Sequence, residues 1–410
     1  MPLRRGIIPQ HIVARVLRTY ALLLFLGLGA CPHDAFAGQQ TKKVEPSLTP
    51  VLPAEQAWMV PLPSPSAAGA MDETRVYIPL QGEHFIAINR ETGATAWTAD
   101  IESAWPPLVR DGVVYVAASD ELHALDAATG DRTWRAPLGR GPMAPMSLVQ
   151  DVLVVLVAPD EIWAFRPSDG QRLWGRSLGG SVGPASMAVD ATGIYIAIGA
   201  RLVRVMLADG TVRWDHTLPG RLSNPALARD RVFVGSTAND FYAFESDTGT
   251  LAWKWRFGGD VLGAAATNDL VFVASLDNLV RALKRGNGNQ VWKRALTTRP
   301  AEPPVVFDGV VAMAGLASLA TFNAKTGAPI GTFDALSDLQ GAPLIDPAPK
   351  PFAVSLVVLT RDGRAIGLRP TGMMFRERPL EPLTALPGRV LQREANPLNS
   401  PPPTPNSRPD

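Results

Sequence analysis

Short apolar runs, many of them β-branched, recur along the chain between polar turns. Gly112-Val113-Val114-Tyr115-Val116, Val152 to Val157, Ile194 to Ile198, Arg231-Val232-Phe233-Val234 and Leu270-Val271-Phe272-Val273 are typical. Runs of this length, bounded by turn residues, predict strands rather than helices. Each is followed by a short hairpin holding Asp120, Asp160, Asp240 or Asn278, and then by a second apolar stretch that ends in a glycine with tryptophan four residues later. The pairs are Gly93/Trp97, Gly130/Trp134, Gly170/Trp174, Gly210/Trp214, Gly249/Trp253 and Gly288/Trp292, and at Gly327 the tryptophan gives way to Gly331. Successive glycines lie 37, 40, 40, 39, 39 and 39 residues apart. A period near 40 residues marks a propeller, a solenoid or an array, and four strands per unit select the propeller.

Position by position, the repeat states its packing. Eight residues before the glycine stand Phe85, Leu122, Ile162, Leu202, Phe241, Val280 and Leu319; six before it stand Ala87, Ala124, Ala164, Arg204, Ala243, Ala282 and Thr321. These two positions share one strand face, so a large residue sits beside a mostly small one, as closely stacked sheets require. In the turn, Asn89, Asp126, Asp247 and Asn323 can bond the local backbone and the glycine supplies a positive φ. The tryptophan opens the outer strand, where its ring covers the gap between blades and its N–H needs a partner.

An eighth unit without tryptophan runs from Ala353 through Arg361-Asp362-Gly363 to Gly372. The expectation is an all-β, eight-bladed propeller of four-stranded antiparallel blades over residues 57–381, with seven blades as the alternative. The orphan stretch Ala57-Trp58-Met59-Val60-Pro61-Leu62 matches the motif strand, and either it or Met373 to Leu380 fills the outer strand of the last blade. An N-terminal strand in the last blade closes the ring and removes exposed sheet edges.

The flanks have a different character. Arg4, Arg5, Arg15 and Arg18 precede the apolar run Tyr20 to Ala30, which is too short to span a bilayer and reads as a signal peptide over residues 1–30. Leu28-Gly29-Ala30-Cys31 has the form of a lipobox, which would place a lipid on Cys31; Ala35-Phe36-Ala37 offers cleavage after residue 37 instead. Residues 31–56 read as a flexible tether, and 382–410 as a proline-rich disordered tail.

Charge and cysteine content narrow the function. Beyond residue 30 the chain has 35 basic and 38 acidic residues, which leaves no electrostatic footprint for nucleic acid. Cys31 is the only cysteine, so no intrachain disulfide, zinc or dithiol site can form. The five histidines have no ligand-like spacing, and no phosphate-binding glycine loop or nucleophile elbow is present.

The pattern apolar-x-Ala-apolar-Asp-x-x-Thr-Gly-x-x-x-Trp resembles the repeat of the pyrroloquinoline-quinone (PQQ) propeller superfamily, over about residues 57 to 380. That superfamily includes quinoprotein dehydrogenases, which bind PQQ, and the BamB family of eight-bladed lipoproteins in outer-membrane β-barrel assembly, which bind no cofactor. The signal peptide, lipobox and single bare propeller are similar to the second. The adjacent cysteines of quinoprotein alcohol dehydrogenases cannot exist here. The resemblance therefore implies a non-catalytic envelope scaffold with no cofactor and no metal, a monomer within a complex. It would be lipid-anchored at the periplasmic face of the outer membrane, or else soluble in the periplasm or secreted. A PQQ-dependent dehydrogenase or sensor, with calcium, is the alternative, and a propeller binding polysaccharide or another envelope protein a further one. Partner contacts are expected in the loops between blades, with Arg221 and Leu222 as first candidates and Arg140 and Asp260 behind them.

Overall fold

The central strands of every repeat are buried on both faces, which is why they read as unbroken apolar runs rather than alternating ones. In the strand Val152–Val157, Leu153, Val155 and Val157 pack toward the preceding blade while Val154 and Leu156 pack toward the next. The hydrophobic core is accordingly a ring of separate clusters, one at each interface between neighbouring blades.

The computed structural model describes residues 51–82, 84–179, 185–346 and 353–371. Its strands form eight four-stranded antiparallel sheets, each a meander running outward from the axis. We number the blades by residue: blade 1, 70–99; blade 2, 108–137; blade 3, 147–177; blade 4, 185–217; blade 5, 226–256; blade 6, 261–295; blade 7, 305–334; blade 8, 344–370 with 54–61. The innermost strands of blades 4, 5, 6 and 7 touch in succession around the axis. Eight blades, rather than seven, is the observed count. Cys31, the signal peptide, most of the tether, Gly372, Met373 to Leu380 and the tail 382–410 lie outside the described residues.

Blade 8 is closed from the other end of the chain. The strand Ala54–Pro61 pairs with Arg364–Pro370, from Ala54 opposite Pro370 to Pro61 opposite Arg364. This strand starts three residues before Ala57, and Val51 and Leu52 ahead of it are fully buried. The last six residues of the expected tether thus belong to the propeller, because a closing strand needs apolar anchorage as well as edge pairing.

One clasp recurs at seven interfaces. Trp58, Trp97, Trp134, Trp174, Trp214, Trp253 and Trp292 each lay the ring on the motif glycine of the next blade: Gly93, Gly130, Gly170, Gly210, Gly249, Gly288 and Gly327. A Cβ on any of these glycines would fall 2.5 to 2.9 Å from a tryptophan ring atom, and their φ angles run from 67° to 79°. The glycine is needed twice over, for the left-handed backbone and for the absent side chain. Each indole N–H donates to the carbonyl three residues before that glycine, at Arg90, Ala127, Pro167, Leu207, Ser246, Arg285 and Ala324, over 2.8 to 3.1 Å.

Register explains the small position. Ala87, Ala124, Ala164, Ala243 and Ala282 stand directly across the sheet from the tryptophans, and a β-bulge at the residue before each tryptophan, such as Thr133 or Ala252, aims the ring out of the blade. Arg204 occupies this position opposite Trp214. It is buried, reaches Asp247 of blade 5 at 2.7 Å, and is accommodated by Gly193, where a Cβ would lie 2.7 Å from its Nε. Asp247 therefore serves the neighbouring blade, whereas Asn89, Asp126 and Asn323 bond their own turn amides as expected. Those bonds hold the Asp126 carboxyl below its usual range.

The interface between blades 7 and 8 lacks the clasp because Gly331 replaces tryptophan. Leu52 fills the space: its Cβ lies 2.9 Å from where a Gly331 Cβ would be, and with Val51 it packs among Leu319, Leu356, Val358 and Leu368. Where blades 8 and 1 meet, buried Arg90 donates to the Val354 carbonyl and pairs with Asp346, each at 2.5 Å. Arg285, at the same repeat position, pairs with Asp230 of blade 5.

Candidate functional site

In an outward meander, the turns joining first to second and third to fourth strands share one end of the sheet, and the middle hairpins share the other end with the interblade loops. The propeller so acquires a turn face, carrying the glycine–tryptophan clasps, and a loop face. Binding residues concentrate on loops held by a rigid scaffold.

The loop face carries a cavity of about 320 Å³ at the inner ends of blades 4 to 7. Arg221, Leu222 and Asp260, three of the four sequence candidates, line it together with Ser186, Asn224 and Glu302. The Arg221 amide donates to the Thr237 hydroxyl and the Arg221 carbonyl accepts the Thr237 amide, both at 2.9 Å, so the loop is pinned to the hairpin of blade 5. Gly220 permits this approach: a Cβ there would lie 2.7 Å from the Ala238 nitrogen. At blade 6 a bulge at Leu262 interrupts pairing between Val261 opposite Ser275 and Gly263 opposite Ala274.

Leu222 lines the cavity but offers little surface to it. It is only 9% exposed, accepts its place in the core between blades 4 and 5, and bridges Ser236. An apolar residue in a loop reads as exposed from sequence, yet this one anchors the loop and leaves little surface for a partner. Arg140 is exposed in the loop between blades 2 and 3 and does not line the cavity. Asp240, taken as a hairpin residue, instead opens a strand with its side chain 4% exposed, held by Lys254 at 2.9 Å, Arg256 at 3.3 Å and Tyr242 at 3.1 Å. Burial opposes ionisation of that carboxyl, but these partners outweigh it and hold Asp240 below the usual range.

Glu302 and the exposed leucines escaped the sequence reading. Burial raises the Glu302 carboxyl above its ordinary value, with Arg361 partly offsetting this. Its signal was an acid set among prolines in Arg299-Pro300-Ala301-Glu302-Pro303-Pro304. Leu316, in the middle hairpin of blade 7, is 54% exposed, and Leu336, in the loop that follows that blade, is 80% exposed. Leu336 lies between blades with no apolar neighbour in sequence other than Ala335, the one mark that could have singled it out.

On the turn face a second cavity, of about 520 Å³, lies between blades 2 and 3, lined by Arg110, Tyr115, Leu148, Arg166, Pro167 and Leu173 among others. Its site in the repeat is instructive. Tyr77 and Tyr195, the equivalents of Tyr115, bond Asp72 at 2.6 Å and Asp190 at 3.0 Å, five residues earlier. Burial and the Asp190 charge push the Tyr195 hydroxyl up to about 12. Blade 2 has Arg110 in place of that aspartate, and the space stays open.

Among known proteins, the family described as "Outer membrane protein assembly factor BamB" matches residues 53–193, 82–224 and 199–346, in overlapping sets of repeats. The chain belongs to this family. In this BamB-family chain the matched span covers the clasped blades and stops just inside blade 8. Among solved structures, BamB from Moraxella catarrhalis superposes with a TM-score of 0.60 at 17% identity, covering 77% of this chain and 99% of that one. A computationally designed protein gives 0.65 at 14% identity, covering 77% and 100%. A quinohemoprotein alcohol dehydrogenase from Pseudomonas putida gives 0.60 at 12% identity, covering 84% and 78%. At such identities these likenesses establish the fold alone. No curated protein matches the sequence. Among the described residues of this BamB-family propeller, no three His, Cys, Asp or Glu side chains group as a metal site, and no helix is long and apolar enough to cross a membrane.

Proposed function

We propose that the chain is a non-catalytic scaffold of the bacterial envelope that works without PQQ or metal in outer-membrane β-barrel protein assembly, docking a protein partner on its loop face. The observation that carries this reading is the family match across residues 53–346. The geometry is in keeping with it. The motif residues are consumed in turns and interblade clasps, while Arg221, Asp260 and Glu302 meet at a cavity on the loop face, which also carries exposed Leu316 and Leu336. Anchorage through Cys31 is part of the same proposal, resting on the lipobox form of residues 28–31.

Native protein solubilised from membranes is expected to copurify with components of the β-barrel assembly complex; its repeated isolation without them overturns the reading. Radioactive palmitate should label the wild-type chain and not Cys31→Ser. The quinoprotein neighbour marks the competing reading, and titration with PQQ and calcium decides it: saturable binding with alcohol or sugar oxidation removes the scaffold proposal.

A further inference from the structure

Shielded carboxylates are treated in two ways in this propeller. Away from the loop-face cavity they have cations in contact: Asp240 has Lys254 and Arg256 of its own blade, Asp277 has Arg281 of its own blade at 2.6 Å, and Asp346 has Arg90 across the seam between blades 8 and 1. In the cavity, neither Glu302 nor Asp260 has a hydrogen bond or ion pair through its carboxylate among the described residues. Glu302 is half-buried in the cavity lining, next in sequence to Pro303, and Arg361 attracts it without bonding it. A shielded carboxylate without a partner is costly to keep, and a group left in that state at a concave surface calls for an explanation.

We propose that this cavity receives one lysine or arginine side chain of a partner protein, whose cation is held by Glu302 and Asp260. The proposal rests on the scaffold reading and names the chemistry of the contact. Charge complementarity selects the occupant: the lining holds two carboxylates and one guanidinium, that of exposed Arg221, and Arg361, outside the lining, only partly offsets Glu302. At about 320 Å³ the cavity lies at the small end of the range for ligand pockets, roughly 300–1,000 Å³, a size suited to one long side chain. Leu262 and Leu276 supply apolar wall for its methylene stem, as long basic side chains prefer. Gly220 and the bulge at Leu262 bring the surrounding loops into place, so the site is built into blades 5 and 6.

The test uses the full chain and blocked single residues: N-acetyl-arginine methylamide and its lysine counterpart, with the norleucine and glutamate analogues as controls. Methyl NMR signals of Val261, Leu262 and Leu276 should shift saturably with the two cations and not with the controls. Glu302→Gln and Asp260→Asn, which keep size and remove charge, should each weaken the response about tenfold, with unchanged spectra in blades 1 to 3 reporting an intact fold. Equal shifts with norleucine, or full binding by both variants, overturn the proposal. Copurification from membranes is read separately. A Glu302→Gln chain that still captures its complex as well as wild type leaves the scaffold reading standing and removes the cavity from it.

Discussion

The two faces of this propeller are made by the same repeat and have diverged in what they do with polar groups. On the turn face, seven indole N–H groups meet seven carbonyls, and the seven glycines leave no room for a side chain. On the loop face, Arg221, Asp260 and Glu302 surround a cavity, and Leu316 and Leu336 project into solvent. At the clasps the bonding capacity is consumed in holding the blades together, and between blades 2 and 3 the turn face leaves a cavity open. A surface with capacity left over can bind, and exposed apolar side chains on the same face are of the kind that protein contacts use.

The contrast breaks down if turn-face changes leave stability intact or loop-face changes lower it. Trp97→Ala should cost about 3–5 kcal/mol in urea unfolding, since a buried ring and its bond to the Ala127 carbonyl are lost together. Arg90→Leu should cost nearly as much, about 3 kcal/mol, by removing from the closing seam both the ion pair with Asp346 and the bond to the Val354 carbonyl. Gly130→Ala, which forces a Cβ to 2.6 Å from Trp97 and a strained φ, should cost about 1–3 kcal/mol; a smaller loss would show that the clasp is loose.

A pH profile sharpens the comparison further. Burial, helped by the Arg132 charge, holds His123 below its ordinary value of 6.5, against an opposing pull from Glu121. The folded state therefore disfavours the proton that the unfolded chain accepts. The His123 contribution to stability is complete above pH 6.5 and is lost as pH falls through the depressed folded value. Urea midpoints should decline over that window in the wild type and decline less in His123→Phe. At the bottom of the scale, Arg221→Glu and Leu336→Ser should alter stability by no more than about 0.5 kcal/mol yet weaken copurification with the envelope partner.

Much of the architecture was legible because it is written locally and repeatedly. The glycine spacing set the repeat length, the apolar runs set the central strands, and the orphan Trp58 strand pointed to closure from the N-terminus, where the structure chose it over Met373 to Leu380 by pairing it with Arg364–Pro370. The loop candidates were less legible. Arg221 and Asp260 do share a cavity, but Leu222 is buried and Arg140 stands apart, because a loop residue's exposure depends on which neighbouring blade it meets. Asp240 misled for the same reason: its partners Lys254 and Arg256 are one strand away, and no hairpin pattern announces them.

By itself the sequence determined an all-β propeller and its repeat length, since a strand period and a turn glycine constrain the backbone wherever they occur, while the structure decided for eight blades over seven. The tertiary structure alone decided what each motif residue touches. The tryptophan of one blade needs the glycine of the next, Leu52 replaces the ring that Gly331 lacks, and Glu302 gains its shielded, unpaired carboxylate from blades on either side. Such contacts join residues some 30 to 280 positions apart, and they exist only once the blades are stacked.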